Sequence, residues 1–349
     1  MRGWHMLEHG GRLNDAVQRY GRKREEWLDL STGINPCSYP APTLASDIWH
    51  RLPESSTALL QAASAYYGAA SLLPVAGSQA AIQGLPRLRS VCRVVISGTS
   101  YAEHAHAWRQ AGHIVSELGY DQLQAAADGS MHDGTNQACD VMVVCNPNNP
   151  TGECISPQQL LAWADKLAQR GGWLIVDEAF CDMTPDMSVM TAVSQTLPRP
   201  GLIVLRSLGK FFGLAGLRLG FVAAPEKLQM QLADFLGPWT VTTAAQEIGA
   251  AALSDTAWQT AMRQQLVAQG ERLHHLLAAH DIHASGCALF QYWRTEQKTQ
   301  AADFAEHMAQ HGIWVRQFTH GVRLGLPADE KAWDRLQQAL ANWKINDEK

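Results

Sequence analysis

The chain has 349 residues, a net charge of −5 and an ordinary globular composition, with 46% hydrophobic and 17% charged residues. Its length exceeds what one hydrophobic core usually covers, so we expect a large domain and a smaller one. Its lysines and arginines are scattered and no apolar run approaches the length of a transmembrane helix, which argues against a nucleic-acid or membrane partner.

The predicted elements begin after an irregular, Gly- and Pro-rich segment, 1–40. Residues 55–68 predict a helix that ends at Gly68. Residues 156–172 predict another, with Ser156 as N-cap and Pro157 in the first turn. Short apolar runs separated by helical stretches predict six buried strands: 91–97, 113–118, 140–146, 172–178, 202–207 and 219–224. Uniformly apolar strands of this kind predict an α/β fold whose mostly parallel sheet is covered on both faces.

The last third of the chain has a different pattern. Residues 245–280 show a long helical pattern, and short strands such as 288–293 then alternate with helices. We therefore predict a large domain over 41–235. The predicted small α+β domain combines 1–40 with 236–349.

The cysteines and the start of the chain indicate a cytoplasmic protein. The seven cysteines are dispersed, with no CxxC pair and no metal-ligand spacing, which is typical of reduced thiols. The histidines form no closed ligand set either, so we predict no metal site. The opening MRGWHMLEHGG lacks the apolar core of a signal peptide, and Met6 is an alternative start.

Three polar motifs follow predicted strands, at the edge where α/β sheets bind ligands. They are NPNNPTG (146–152), DEAF (177–180) and RSLGKFFGLAGLRLGF (206–221). Each has an ordinary alternative: Asn-Pro makes turns, Asp177 could be a helix cap or a metal ligand, and a lone lysine is usually on the surface. The order Asn149, Asp177, Lys210, each at its own strand end, favours a shared site. Lys210 lies in apolar surroundings where an amine can form a Schiff base.

Together these motifs resemble those of fold-type I pyridoxal 5′-phosphate (PLP) enzymes, the class I/II aminotransferase family with the aspartate aminotransferase fold. The resemblance implies that Lys210 carries PLP as a Schiff base. It implies that Asp177 keeps the pyridine nitrogen protonated, which lets the ring accept electrons, and that Asn149 donates to the phenolate. It also implies that His104 supports the aspartate and that Tyr101 stacks on the ring, although Tyr101 could be ordinary core.

The resemblance also implies a phosphate site. Gly77, Ser78 and Gln79, in AGSQAAI (76–82), match the family's turn at a helix start, where backbone N–H groups face an anion. Ser207 and Arg218 match its other phosphate ligands. Two departures stand out, because Phe180 and Leu52 occupy positions where tyrosines occur in the family or subfamily.

Further segments resemble the threonine-phosphate decarboxylases of cobalamin biosynthesis, relatives of the histidinol-phosphate aminotransferases. These segments are EHGGR (8–12), LDLSTGINP (28–36) and GPWTVTTAAQEIGAAALSDTAW (237–258). The implied reaction removes CO2 from L-threonine O-3-phosphate, a small phosphorylated amino acid, and yields (R)-1-amino-2-propanol O-2-phosphate. Arg323, in GVRLGLP, matches the family arginine that binds substrate.

We expect His9, Arg12 and Asn35 to complete the substrate pocket, with Thr242 a weaker candidate. Each could equally be a polar loop residue. Two alternatives remain open at this point: a histidinol-phosphate-type aminotransferase, and a non-enzymatic member of the fold. The resemblance further implies a homodimer, since fold-type I enzymes commonly build each site from two subunits.

Overall fold

The computed structural model describes residues 9–130, 138–193 and 199–343; Glu8 and Met6 lie outside them. Within the described residues the α-helices are α1 (Leu13–Tyr20), α2 (Thr57–Tyr67), α3 (Ser78–Gly84), α4 (Ala102–Gln110), α5 (Tyr120–Ala127), α6 (Pro157–Gln169), α7 (Glu226–Leu236), α8 (Thr243–Ser254), α9 (Thr256–Ala278), α10 (Lys298–Gln310) and α11 (Glu330–Ala341).

The strands of the described chain form three sheets. They are β1 (Leu28–Asp29), β2 (Leu73–Val75), β3 (Arg93–Ser97), β4 (Ile114–Leu118), β5 (Val141–Cys145), β6 (Trp173–Asp177), β7 (Leu202–Ser207), β8 (Gly220–Ala223), β9 (Ser285–Cys287), β10 (Phe290–Arg294), β11 (Ile313–Trp314), β12 (Arg316–Phe318) and β13 (Gly321–Gly325). All six strands predicted between 91 and 224 are present, each within one or two residues of its predicted ends.

The described chain divides into two compact units. The larger comprises 38–130, 138–149, 153–193 and 199–259, and the smaller comprises 9–37, 150–152 and 260–343. Helix α8 and the first turn of α9 therefore go with the larger unit. The predicted domain limits at 40/41 and 235/236 stay predictions.

The larger unit is built on a seven-stranded sheet of order β2-β8-β7-β6-β5-β3-β4. The neighbours from β7 to β4 pair in parallel, whereas β8 runs antiparallel to both β7 and β2. The mostly parallel α/β sheet predicted from the sequence is thus present. Its one reversed strand follows directly after the lysine loop.

Both faces of this sheet are covered, which explains the uniformly apolar strands. Val143, Ile175 and Leu205 point into one core with α3, α4 and α7, while alternate residues such as Met142 and Val176 are also fully buried. Burying such a side chain contributes about 1.5–3 kcal/mol. The parallel strands therefore form a rigid sheet, and their carboxyl ends lie along one edge of it.

Helix ends follow their sequence signals. Ser56 and Ser156 accept hydrogen bonds from Leu59 and Gln159 N–H groups and so cap α2 and α6. Gly68 ends α2 in the left-handed region, at φ 67°. Among the helices of the described chain, none combines the length and the hydropathy that a bilayer crossing requires.

The smaller unit combines a four-stranded antiparallel sheet, β12-β13-β10-β9, with a short parallel pair, β1 and β11. The pair joins the N-terminal segment to a strand almost 300 residues later, through Leu28 and Ile313. Leu13 and Ala16 of α1 pack with Trp27 and Ala309 in a small core. The N-terminal segment is therefore an integral part of this unit.

Candidate active site

A cleft lies at the carboxyl edge of the large sheet, with about 620 Å³ of empty space that includes the open solvent at its mouth. The loops after β3, β5, β6 and β7 all reach this edge because these strands are parallel. The cleft is lined by Ser78, Gln79, Tyr101, Cys145, Pro147, Asn149, Asp177, Ala179, Phe180, Ser207, Gly209, Lys210, Ala215 and Arg218. Eight residues predicted from the sequence to bind the cofactor are thus brought together.

Asp177, at the end of β6, is 4% exposed and lies 2.8 Å from Nε2 of the buried His104. Burial disfavours the imidazolium, but hydrogen bonds with Asp177 and Cys145 outweigh burial and raise the pKa of His104 to about 10. The raised pKa favours the imidazolium form of His104, which faces the Asp177 carboxyl group. The predicted supporting contact between these two residues is present.

Arg206, Glu178 and Asp182 form a buried ion network beside the ends of β6 and β7. Arg206 donates to Glu178 at 2.9 Å and to Asp182 at 2.7 Å, and its guanidinium lies 4.6 Å from the ring centre of Tyr67. Burial raises the pKa of Glu178, although Arg206 opposes this. Because Glu178 follows Asp177 and Arg206 precedes Ser207, the network connects the two strand ends that carry the site.

The NPNNPTG loop is fixed by its own asparagines. The amide of Asn146 exchanges two hydrogen bonds with the backbone of Ile155, at 2.8 and 3.1 Å. Asn148 donates to the Thr99 carbonyl at 3.0 Å, across to the loop after β3. Asn149, the next residue, lines the cleft. Two asparagines thus serve as loop anchors and the third reaches the site.

Lys210 lies in the turn after β7, with its amine 5.3 Å from the ring centre of Phe180. Phe180 is 4% exposed and lines the cleft with Lys210. Its ring has no hydroxyl, so the departure noted in the sequence leaves an apolar face beside the amine.

One end of the cleft suits a phosphate. Gly77 is at φ 71°, and a Cβ there would lie only 2.4 Å from Nη2 of Arg218. The guanidinium therefore lies directly against the turn that begins α3, beside Ser78 and Gln79. The Gln79 amide oxygen accepts a hydrogen bond from Tyr101 Oη at 3.3 Å, and burial raises the pKa of that phenol.

These groups fit PLP, the cofactor implied by the resemblance. One cleft is lined by an amine for the PLP aldehyde, a carboxylate for its ring nitrogen, an amide for its phenolate and an aromatic side chain for its ring. The absence of a side chain at Gly77 lets the Arg218 guanidinium lie against the turn whose backbone N–H groups would face a phosphate. The roles assigned to individual residues stay predictions.

Cys145 is a cleft residue that the motifs did not predict. It ends β5 directly opposite Asp177 and accepts a hydrogen bond from Ser100 Oγ at 3.2 Å. With His104 and Asp177 it forms a buried group whose ligand atoms lie within 4.8 Å of one another, a spacing that a metal ion could bridge. Two of its members already hydrogen-bond each other, and the predicted absence of a metal stays a prediction.

The smaller unit has its own polar cavity. His9, Arg12 and Ser31 line it from the N-terminal segment, and Arg316 lines it from β12. A Cβ on Gly10 would lie 2.2 Å from the Ser31 carbonyl oxygen, so the HGG motif requires a glycine at this close approach. The cavity thus gathers two of the predicted substrate residues.

Arg323 is 6% exposed and donates to the Ser31 carbonyl at 2.7 Å. Burial lowers the pKa of Arg323 to about 10, and the charge of Arg316 adds to this effect. The two arginines are paired across the hairpin β12–β13. The sequence patterns did not predict Arg316 as a site residue. The tight turn FTHGV (318–322), which lies between Arg316 and Arg323, is the sequence signal that could have indicated their pairing.

Two other candidates make ordinary structural contacts. The buried Asn35 side chain accepts from Cys37 N–H at 2.8 Å, as in a local turn. Thr242 accepts from Ala245 N–H at 3.1 Å and caps α8. The structure therefore gives Thr242 a helix-capping contact and Asn35 a turn contact, and their predicted substrate roles stay predictions.

The sequence model of the family described as Aminotransferase class I and II matches residues 40–338. This chain belongs to that family. A curated relative, the threonine-phosphate decarboxylase of Pseudomonas aeruginosa, is 49% identical over 97% of this chain and 98% of its own length.

Solved structures share the fold. Histidinol-phosphate aminotransferase from Sinorhizobium meliloti, in complex with PLP, aligns with a TM-score of 0.77 at 19% identity, covering 97% of this chain and 98% of that chain. L-threonine-O-3-phosphate decarboxylase from Porphyromonas gingivalis aligns at 0.70 and 20% identity, covering 89% and 98%. At these identities the structures establish the fold type I architecture and no more.

Proposed function

We propose that this chain is a PLP-dependent lyase that removes CO2 from L-threonine O-3-phosphate, giving (R)-1-amino-2-propanol O-2-phosphate for cobalamin biosynthesis. The observation that carries the proposal is its 49% identity, over nearly the whole length of both chains, to a threonine-phosphate decarboxylase. A cleft with the matching amine, carboxylate, amide and arginine supports it.

Lys210 would hold the PLP aldehyde, Asp177 its ring nitrogen and Asn149 its phenolate oxygen. Arg218 would hold its phosphate, together with Gly77, Ser78, Gln79 and Ser207. When bound, PLP supplies an electron sink for the pair left at the substrate carbon. The protein would supply the charge that sustains this sink through Asp177, which the buried His104 contacts at 2.8 Å.

Proton supply is the second task of the protein. Loss of CO2 leaves an electron pair on the substrate carbon, and one proton must be added there. Lys210 is an amine within the cleft that could carry that proton to the carbon.

The substrate carries a phosphate and a carboxylate. We assign their recognition to Arg323, Arg316, His9, Arg12 and Asn35. The planar fork of arginine binds two oxygens of either group at once. The buried Arg323 is held by Ser31, so its orientation is set before substrate binds.

An activity assay tests the proposal directly. Purified protein loaded with PLP should release CO2 from L-threonine O-3-phosphate. With histidinol phosphate and 2-oxoglutarate it should form little glutamate. Glutamate formation without CO2 release would replace the proposal with the aminotransferase alternative.

We further propose that the protein is a cytoplasmic homodimer. Free thiols at all seven cysteines support a reducing compartment. Large apolar side chains on the surface, among them Trp49 (69% exposed), Leu52 (63%) and Trp239 (59%), support an interface. Light scattering of the purified protein would give twice the chain mass if the assembly is a dimer.

A further inference from the structure

We propose that Asn148 is a positioning residue, whose side chain ties the loop after β5 to the loop after β3 and so fixes Asn149 in the cleft. Asn148 itself is not among the residues that line the cleft, so it acts through its neighbour. The inference rests on the proposed function, because it concerns the amide that is assigned there to the cofactor.

The bridge between the two loops is a hydrogen bond from a buried side chain. Nδ2 of Asn148 donates to the Thr99 carbonyl at 3.0 Å. Asn148 is fully buried, so its amide would lose this partner in a place that water does not reach. The backbone N–H of Asn148 donates to the Glu153 carbonyl at 2.8 Å, within its own loop. Asn148 therefore holds both loops, and the residue that follows it lines the cleft.

Thr99 has a backbone conformation that β-branched residues rarely adopt. Its φ is 49°, in the left-handed region, which is costly for threonine and persists only where the surroundings enforce it. Thr99 is exposed, so burial of its side chain does not enforce this conformation. The preceding Gly98 N–H donates to the Leu118 carbonyl at 2.6 Å and fixes the start of the loop. The hydrogen bond from Asn148 acts on the Thr99 backbone itself and accounts for the conformation.

A second hydrogen bond joins the same two loops. Ser100 Oγ donates to Cys145 Sγ at 3.2 Å. A thiol sulfur is a weak acceptor, so the Asn148 amide is the stronger of the two ties. Tyr101 follows directly after Ser100 and lines the cleft with Asn149. The bridge thus sets the spacing between the aromatic side chain and the amide that are assigned to the cofactor.

The position of Asn149 should affect the visible absorbance of bound PLP. An amide donor stabilises the negative charge of the phenolate oxygen and so favours the form of bound PLP that has given up its proton. Displacing Asn149 weakens this donor and raises the pH midpoint of the absorbance change. The other titratable groups of the cleft are Asp177 from β6, Lys210 after β7, Cys145 from β5, Tyr101 before α4 and Arg218 before β8. A substitution at Asn148 removes none of them.

The first test asks whether Asn148 holds Thr99, in PLP-free full-length protein. Urea titrations of wild type, Thr99→Gly, Asn148→Ala and the double variant give the equilibrium constant for unfolding. Glycine adopts a φ of 49° without strain, so Thr99→Gly relieves a cost that exists only while the Asn148 bond enforces this φ. Thr99→Gly should therefore favour folding about fivefold more in wild type than in Asn148→Ala. An equal effect in both backgrounds would overturn the proposal.

Asn146→Ala is the matched control. Asn146 is equally buried, lies in the same loop and exchanges two hydrogen bonds with Ile155. Thr99→Gly should have the same effect with and without Asn146→Ala, and a coupling as large as that with Asn148→Ala would also overturn the proposal. Asn148→Ser, whose side chain is shorter and lacks the amide, repeats the test if the alanine variant does not fold.

The second test asks whether Asn148 acts through Asn149, in the PLP-loaded protein without substrate. Visible absorbance over a pH series gives the midpoint for each variant. Asn149→Ala should raise the midpoint most, and Asn148→Ala should raise it by roughly half to one pH unit. In the double variant the midpoint should equal that of Asn149→Ala alone, because the donor that Asn148 positions is already gone.

An unchanged midpoint in Asn148→Ala contradicts the inference, as does an equal further rise when Asn148→Ala is added to Asn149→Ala. Failure of wild type to release CO2 from threonine phosphate would refute the proposed function and leave both results valid, since neither test uses substrate. Failure of wild type to bind PLP would refute the proposed function and this role of Asn148 together.

Discussion

In the larger unit, most polar side chains of the cleft follow the carboxyl ends of adjacent parallel strands. In the smaller unit, the polar side chains of the cavity come from an irregular N-terminal segment, from helices and from an antiparallel hairpin. The first arrangement is held by a doubly covered sheet and by buried ion pairs such as His104–Asp177. The second depends on pairings between distant segments, such as Arg323 with Ser31. We therefore expect cleft residues to control cofactor binding and turnover, and cavity residues to control substrate affinity.

The sharpest test of this division is Lys210→Ala. It should reduce kcat on the order of 10⁴-fold or more, because the covalent link to PLP and the proton carrier are lost together. Borohydride reduction should then trap no pyridoxyl group on the chain. Lys227→Ala, an exposed lysine in α7, is the control and should behave as wild type. Retained turnover in Lys210→Ala would remove the basis of the cleft assignment.

Asp177→Ala should reduce kcat about 10²–10³-fold, because the negative charge opposite the ring nitrogen is lost. It also leaves the buried His104 without its carboxylate partner, so thermal stability should fall. Steady-state kinetics and a melting curve measure the two effects. Asp165→Ala removes a surface carboxylate that pairs with Arg199 at 3.0 Å and should change neither.

Gly77→Ala tests the phosphate end of the cleft. The added Cβ would strain a backbone at φ 71° and lie 2.4 Å from the Arg218 guanidinium. PLP affinity should weaken about tenfold, equivalent to roughly 1.4 kcal/mol. Titration of PLP-free protein with PLP measures this. Gly216→Ala, where a Cβ meets nothing within 4 Å, should leave the affinity unchanged.

Arg316→Gln tests the cavity. It should raise KM for threonine phosphate about tenfold with a much smaller change in kcat, since one charged fork for the substrate's anionic groups is lost. The amount of reducible PLP on the chain should stay at the wild-type level. Loss of bound PLP instead would contradict the division between cleft and cavity. Arg294→Gln, at an exposed arginine on strand β10 of the same sheet, is the control.

The smallest expected effect is a pH dependence of stability. The pKa of His104 is raised in the folded protein to about 10, so its pairing stabilises the fold fully below about pH 6.5 and loses this effect as the pH rises through about 10. The difference in unfolding free energy between wild-type and His104→Gln apoprotein should shrink between pH 6 and pH 10. Urea titrations at several pH values measure it. His283→Gln, at an exposed position, should show no such trend.

Much of the cleft could be predicted from the sequence. Asn149, Asp177 and Lys210 follow strands whose apolar runs are unmistakable, and parallel strands must end at the same edge. Local signals also located Gly68 and Ser156 at helix ends. Such features depend on a few neighbouring residues, so a linear pattern is sufficient to find them.

Arg316, Cys145 and the contact between Phe180 and Lys210 could not be predicted in this way. Each depends on register or packing between segments far apart in the chain, as when β12 pairs with β13 or β5 with β6. The linear pattern was sufficient to predict six of the seven strands of the large sheet, the order of the motifs and the chemistry of the residues in them. The contacts between side chains come from three-dimensional packing, because the packing of strands and loops sets the distances between residues far apart in the chain.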